Sequence, residues 1–423
     1  MQRIIIFVIF FYSANAQDTI SLTFNDLVNL NNSSNLVFKK SDLNYQLSVE
    51  EFRNSLASFL PNFSFGDVRV DYNGSAQSTE GEFVDVDKNN KWQGLRWNLD
   101  WDLQNILLDP FRYRSKKNEA VFNKKLNNLD EQIRVYVLYY LLKSSIEKEK
   151  SVSKFILRNT SIIEQLALQV KAGLKLESDL LLAKSNLNNL KIKKISQVQK
   201  INKYNQELLQ ALNLDLSTVI DPSCFFYENN NYNSIVPNDL QDRLELLKIE
   251  MQKKNLKLNR NKFSYGFLLP KLSLGYNDGY FGPNFNIDTR TNNRNFVSTS
   301  LMWNIPFSSI FPSGDYKIKN NLYKIKVLEK EQLEKKIKSE LITLENIFLN
   351  TNKQYVLAKE SFDLAQKAYK QSHERQALGT ANQLELFHAE REYLNAQFLY
   401  IDLITERHKA GLQRQCSYEK KYK

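Results

Sequence analysis

Two periods alternate along this chain and divide it into two copies of one pattern. Between Lys91 and Gln104, Leu95, Trp97, Leu99, Trp101 and Leu103 alternate with Arg96, Asn98, Asp100 and Asp102. Val297, Thr299, Leu301, Trp303, Ile305 and Phe307 alternate with Ser298, Ser300, Met302 and Asn304, and Leu272, Leu274 and Tyr276 with Ser273, Gly275 and Asn277. A period of two belongs to a strand with one apolar and one polar face. Elsewhere the spacing is three and four. Ile318, Leu322, Ile325, Leu333, Ile337, Leu341, Leu344 and Phe348 follow it, with Glu329 breaking the seam once, as in a coiled coil.

The stretches Phe111–Asp221 and Ser313–Lys423 hold no Pro and are rich in Lys, Leu, Glu, Gln and Asn, so each predicts a pair of long helices. A helix of about 60 residues runs ~90 Å. One globular core cannot bury that length, so the helices are expected to pack on one another as rods. In the first half the pattern predicts a helix over about 23–57, strands near 62–73 and 91–104, and long helices near 112–171 and 176–212. The second half predicts the same order at 238–264, 271–281, 294–308, 315–377 and 381–413.

The duplication also shows in single residues. Phe59-Leu60-Pro61-Asn62-Phe63-Ser64-Phe65 matches Leu268-Leu269-Pro270-Lys271-Leu272-Ser273-Leu274. Gly173, Asp179, Leu180 and Ala183 recur with the same spacing as Gly379, Glu385, Leu386 and Ala389, and Trp101 corresponds to Trp303. The division is therefore repeat one over 17–214, a linker over 215–237 carrying Asp221-Pro222 and Asn229-Asn230-Asn231, repeat two over 238–415, and a tail over 416–423.

Composition narrows the class. Apolar residues make up 42% and charged residues 25%, a globular balance, and 12 Gly and 8 Pro leave room for long uninterrupted elements. Met1-Gln2-Arg3, the apolar run Ile4–Tyr12 and Ala14-Asn15-Ala16 read as a signal peptide over 1–16, cut before Gln17. The run is shorter than the roughly 20 residues a membrane helix needs. The chain is thus expected outside the cytoplasm, which sets a nucleic-acid partner aside although the formal net charge is +11. Solvated Lys-rich helix faces, such as Lys191-Ile192-Lys193-Lys194, account for that charge.

The strands carry the sharper signal. Segments of about 10 residues with a period of two mark an outer-membrane β-barrel. All four Trp of the chain, Trp92, Trp97, Trp101 and Trp303, fall in these segments, as an aromatic girdle at a membrane–water boundary requires. A soluble half-buried sheet also alternates; the secretory leader and the polar connections Asn73–Asn90 and Asp278–Asn293 favour the barrel. Four strands per chain cannot close, and an open edge in lipid costs several kcal/mol per unsatisfied backbone group. Two copies give eight strands with a filled interior, whereas three give about twelve and room for a passage. A homotrimer is the expectation.

A leader, two halves each of helix, β-hairpin and long helix pair, and a Gly-x5-[Asp/Glu]-Leu-x2-Ala turn in each half resemble the TolC family of outer-membrane factors over about Gln17 to Gln415. The resemblance implies a mixed α+β fold: a trimeric outer-membrane β-barrel, four strands per chain, continuous with a long α-helical barrel in the periplasm. It implies an efflux or type I secretion duct that docks a periplasmic adaptor and an inner-membrane pump and conducts passively, with no cofactor. It places a pore constriction at Glu385 and His388, with Asp179 as the half-one counterpart, and adaptor contact at the helical tips of Gly173 and Gly379. His388 stands where relatives often carry a second acid. Strand ends in relatives often read Pro-Leu-Phe-Asp-Gly-Gly, of which Ile305-Pro306-Phe307 to Ser313-Gly314 is a loosened version. Cys224 in the linker and Cys416 past the last helix both fall in an equatorial band of relatives, which implies a disulfide between them.

Catalysis finds no motif. His373, His388 and His408 stand too far apart in sequence for a helical zinc pair, and neither a P-loop nor a Gly-x-Ser-x-Gly elbow occurs. Glu385 and His388 have the i, i+3 geometry of a metal pair, but a di-metal bundle needs two such motifs, so no metal site is expected. A secreted non-conducting coiled-coil spacer or adhesin is the rival reading. It explains the helices and leaves the Trp-bearing strands unexplained.

Overall fold

The structure is a computed structural model describing residues 19–223, 242–282, 292–304, 314–378 and 383–420. In chain order its elements are β1 (Thr19–Leu22), α1 (Phe24–Ser34), α2 (Leu36–Ala57), β2 (Asn62–Gln77), β3 (Phe83–Asp102), α3 (Leu103–Lys171), α4 (Glu177–Leu212), β4 (Val219–Pro222), α5 (Leu244–Tyr265), β5 (Lys271–Gly282), β6 (Asn292–Met302), α6 (Asp315–Ala377) and α7 (Gln383–Glu419). The leader, the linker from Cys224 to Gln241, the loosened strand-end motif at 305–313 and Gly379 lie outside the described residues. Two compact units form: Asp42–Lys124 with Gln241–Glu334, and Met1–Ser41 with Lys125–Leu240 and Lys335–Lys423.

The first unit holds an antiparallel sheet in the order β2-β3-β5-β6. Its register is continuous, from Asn62↔Asn98 to Gln77↔Phe83 between β2 and β3. Asp102↔Lys271 to Lys91↔Gly282 joins β3 to β5 across the two halves of the chain. Trp101 donates its indole N–H to the Phe59 carbonyl at 3.0 Å, and Trp303 donates to the Leu268 carbonyl at 3.3 Å. Phe59 and Leu268 are the matched residues two before the repeated proline. One local bond thus ties strand end to helix end in each half.

β3 passes directly into α3, which starts nine residues before the expected 112 and encloses Pro110. A proline inside a helix costs about 3 kcal/mol through its missing donor and steric clash. Asp102 offsets part of it: its Oδ1 accepts from the Asn105 N–H at 3.3 Å and its Oδ2 from the Asn105 side chain at 2.9 Å, which caps the new start.

The second unit is helical, with a core of Leu22, Leu27, Val135, Tyr139, Leu142, Leu208, Leu209, Leu212 and Ile220. β1 and β4 pair in parallel across it, from Thr19↔Val219 to Leu22↔Pro222. Neither strand was expected, because four residues paired across distant sequence leave no periodic trace. Asn205 replaces a third strand: its Nδ2 donates to the Thr218 carbonyl at 3.0 Å and its Oδ1 accepts from the Ile220 N–H at 2.9 Å. The expected single helix over 23–57 breaks at Asn35, whose ψ of 122° is extended. Its Oδ1 caps the Val37 N–H at 2.8 Å while its Nδ2 donates to Asn31 and Glu131, a local competition typical of asparagine. The first part of the expected tail, to Glu419, is helical instead. α7 runs on to Glu419 because Arg414, 3% exposed, is anchored to Glu345 at 2.6 Å and over the Phe348 ring at 4.7 Å.

α6 and α7 share an aromatic seam. Tyr355, Phe362 and Tyr369 recur every seventh residue on α6, and Tyr393, Tyr400 and Arg407 on α7. The rings interleave in the order Tyr355, Tyr400, Phe362, Tyr393, Tyr369 with centroids 5.3–5.7 Å apart. Arg407 covers one end at 4.7 Å and Arg158 of α3 the other at 5.1 Å. Of the seam expected on α6, Ile337 and Phe348 are buried, whereas Ile318, Leu322 and Ile325 are exposed in the single chain.

Asn205→Ala leaves the Ile220 N–H and the Thr218 carbonyl buried without these partners, a loss of about 1–3 kcal/mol. Its thermal unfolding midpoint, followed by circular dichroism, is expected to fall well below that of Asn202→Ala on the same helix.

Candidate functional site: a two-faced sheet and the helical tips

Side chains directly opposite in an antiparallel register share a face. Trp101 opposes Leu272, which opposes Leu301; Trp97 opposes Phe63 and Tyr276, and Tyr276 opposes Val297; Leu95 opposes Phe65. These residues and Leu99 and Leu274 form one apolar and aromatic band across four strands. Phe63, Phe65, Trp97, Val297, Leu301 and Trp303 are half or more exposed in the single chain. Phe63 and Trp97 meet edge to face at 5.7 Å. Of the expected girdle, Trp97 and Trp101 lie in this band and Trp303 follows β6. Trp92 pairs through its backbone with Val68 and Phe281, and its side chain lies outside the described residues.

The opposite face carries Ser64, Arg96, Asn98, Asp100, Ser273, Gly275, Asn277, Ser298 and Ser300. Arg96 donates Nε to Asn277 Oδ1 at 2.6 Å, and Lys271 lies 3.6 Å from Asp102. Over this stretch one face is mainly apolar and the other mainly polar, with Asp278 on the first and Phe296 on the second as exceptions.

At the helical tip, Gly173 adopts φ +72°, the left-handed region that favours glycine. Its N–H donates to Val170 at 3.0 Å and that of Leu174 to Gln169 at 2.8 Å, the paired bonds of a Schellman cap closing α3. The described residues of the repeated motif have structural roles, with Gly379 outside them. Its glycine ends a helix, its Ala183 is 0% exposed against Phe387, and its Leu386 is 1% exposed in the core. Its acids, the half-buried Asp179 and the exposed Glu385, lie in the first turns of α4 and α7, where a negative charge complements the helix dipole. Glu385 also accepts from Arg375 at 2.8 Å. It lines a shallow groove with His388, Ala365, Ala368, Ser372 and Glu392. Glu385 and His388 are brought together here. Exposed Leu168, Leu174, Leu176 and Leu182 surround the Gly173 turn.

The sequence reading missed a polar cluster buried between helices. Asn159 of α3, 0% exposed, donates to Glu390 of α7, 3% exposed, and accepts from Asn186 of α4 at 3.4 Å. Arg158 donates to the Tyr369 hydroxyl on α6, and the second Glu390 oxygen is buried without a partner among the described residues. Burial pushes the Glu390 carboxyl up to about 7, against the lowering effects of Asn159 and the Arg158 charge. A glutamate at i+5 from Glu385 gave no sign of this, since its surroundings come from three other helices. His408 is likewise a core residue: it stacks on Tyr140 at 4.7 Å, and burial, with Arg407 beside it, holds it down to about 4. Among the described residues no group of three His, Cys, Asp or Glu is placed to hold a metal ion. Cys416 is buried in α7, and Cys224 lies outside the described residues.

Comparison with solved structures settles the fold. The outer-membrane channel CmeC of Campylobacter jejuni matches with a TM-score of 0.77 at 16% identity, covering 94% of this chain and 85% of CmeC. The chain has the fold of an outer-membrane channel. VceC of Vibrio cholerae matches at 0.74 and 12% identity over 93% of this chain and 94% of VceC. The open state of the Neisseria gonorrhoeae channel MtrE matches at 0.71 and 14% identity over 92% of this chain and 87% of MtrE. No family model and no curated protein sequence matches the chain. The structural likeness agrees with the TolC-like resemblance drawn from the sequence, and at these identities the likeness is one of fold.

Glu390 gives a signed pH dependence. Its folded value of about 7 lies above its ordinary 4.5, so its contribution to stability is full below about 4.5 and is lost as pH rises through about 7. Glu390→Gln is expected to raise the unfolding midpoint at pH 8, with the difference vanishing near pH 4; an equal difference at both values would remove the burial account.

Proposed function

We propose that this chain is an outer-membrane exit duct that conducts solutes passively. The observation that carries the reading is the four-stranded sheet, with one apolar face, one polar face and two edge strands, β2 and β6, that have no strand partner among the described residues. Such a sheet reaches a low free energy in a bilayer only when copies of itself pair edge to edge, because lipid offers no hydrogen bonds. Three copies give twelve strands and a water-filled lumen behind the polar face, while two give a barrel filled by its side chains. The homotrimer follows. The exposed Ile318, Leu322 and Ile325 on α6 are available to the same neighbours.

The helices extend the path through the periplasm, and the driving energy comes from an inner-membrane pump coupled by a periplasmic adaptor docking at the tips of Gly173 and Gly379. Leu168, Leu174 and Leu176 offer that adaptor apolar contact. A duct needs no catalytic residue and no cofactor, and the chain has no recognisable catalytic set. Efflux and type I secretion use the same duct and differ in the pump. A Cys224–Cys416 bridge belongs to this reading and predicts a gel mobility that changes on reduction.

Glu385, His388 and, in the first half, Asp179 form the constriction. Three Glu385 carboxylates near one axis attract divalent cations, and Arg375, 2.8 Å away, tempers that field. The mature protein is expected to give SDS-resistant trimers that partition into lipid and conduct in planar bilayers; a water-soluble monomer that never conducts would leave the spacer reading in its place. In single-channel recordings Glu385→Ala is expected to weaken Mg²⁺ block several-fold and Arg375→Ala to strengthen it, and unchanged block in both would remove Glu385 from the gate.

A further inference from the structure

The sheet changes the chemistry of its two faces part-way along its strands. In β2, Phe63 and Phe65 share a face with Asp67, Arg69 and Asp71, while Ser64 and Gly66 share the other with Val68 and Val70. In β3, Leu95, Trp97, Leu99 and Trp101 share a face with Asp85 and Asp87, while Arg96, Asn98 and Asp100 share the other with Val84 and Val86. The register shows no insertion between these stretches, so the alternation never slips and no bulge explains the change. Most of the apolar residues have moved from one face to the other; Phe83 and Tyr280 stay on the face of Trp97.

The change falls on one row of residues. Gly66 opposes Gly94, which opposes Gly279. A Cβ on Gly94 would lie 2.2 Å from the Asp278 carbonyl oxygen and one on Gly279 2.5 Å from that of Gln93, so only glycine fits this pair. A Cβ on Gly275, on the same face, would lie 2.5 Å from the Ser298 hydroxyl. Crowding at all three glycines falls on the face of Arg96 and Asn277, the face on which a curling sheet becomes concave. That face is the inner one of a closing barrel.

We infer that, beyond the glycine row, the β2–β3 hairpin forms an apolar collar around the outer end of the conduit, lined by Val68, Val70, Val84 and Val86. This rests on the duct reading above, because inside and outside exist only once copies of the chain close the barrel. Before the row, the outer face meets hydrocarbon and is apolar, and the inner face meets water and is polar. Beyond it the outer face carries Asp67, Arg69, Asp71, Asp85 and Asp87, with Arg69 and Asp71 paired at 2.9 Å, the chemistry of a surface in water. The valines have the inner face, and Val68, Val70 and Val84 are about half exposed in the single chain, so no described residue buries them. Their occupant is the same face of the other copies, meeting across the axis. β2 and the hairpin tip carry the collar. A narrow apolar ring resists wetting, and it admits ions only when it widens.

The test uses the full mature chain in planar bilayers with KCl as the probe. Val68→Asn with Val70→Asn is expected to raise single-channel conductance about twofold or more by letting water into the ring, while Asp67→Asn, on the other face at the same level, leaves it near the parent value. Unchanged conductance in channels that insert normally overturns the collar and leaves the duct standing; a parent chain that forms no channel overturns the duct itself. A second readout survives poor insertion of the double variant. With Cys224 and Cys416 replaced by Ser, Val70→Cys is expected to cross-link between copies with a short bis-maleimide and Asp71→Cys is not. Cross-linking at Asp71→Cys alone reverses the assignment of the faces.

Discussion

A β-sheet with one apolar face and two open edges carries a debt of unpaired backbone groups that water settles and lipid does not. Everything distinctive about this chain bears on that constraint. The apolar band across Phe63, Trp97, Tyr276 and Val297 makes hydrocarbon the natural solvent for one face. The same band makes an unpaired β2 or β6 edge costly there. In the proposed barrel, closure by further copies relieves both at once, and the polar face with its Arg96–Asn277 bond then encloses water. In the proposed duct, conduction is therefore a by-product of backbone pairing and not of any single side chain.

The glycine row belongs to the same account. A sheet that closes on itself must curl, and curling crowds its concave side. Gly94 and Gly279 remove the atoms that would collide, at the level where the outer environment is proposed to change from lipid to water. Curvature and the exchange of apolar faces coincide because both are demands of the same boundary.

The helical unit is organised differently. Its core is held by leucines around Tyr139 and by the interleaved rings of α6 and α7, and several polar residues are buried inside the packing. Asn159, Glu390, Arg158 and Tyr369 link α3, α6 and α7 at a place where protonation near neutrality changes the local charge. Such buried polar clusters rigidify when fully paired and loosen when one oxygen is left over, as it is at Glu390. Glu385, by contrast, lies at the surface with its own arginine and is free to respond to what approaches from outside.

Strand alternation, the Pro-free helical blocks and the duplicated motif were legible in the residues alone, since each rests on local periodicity or on conformations that few residue types adopt. Gly173 in its left-handed cap and Trp97 in its apolar band are where those rules place them. The β1–β4 pair and the burial of Glu390 and His408 were not, because distant partners decide each of them, and the helix break at Asn35 and the run of α3 through Pro110 turn on local caps that periodicity does not record. Face identity shows the division best. The sequence by itself determined that residues alternate; only the register, which sets Gly66 beside Gly94 and Gly94 beside Gly279, decided that the apolar face changes sides in neighbouring strands at one level. The physical reason is that a strand records its own period but not the height at which its neighbour pairs with it.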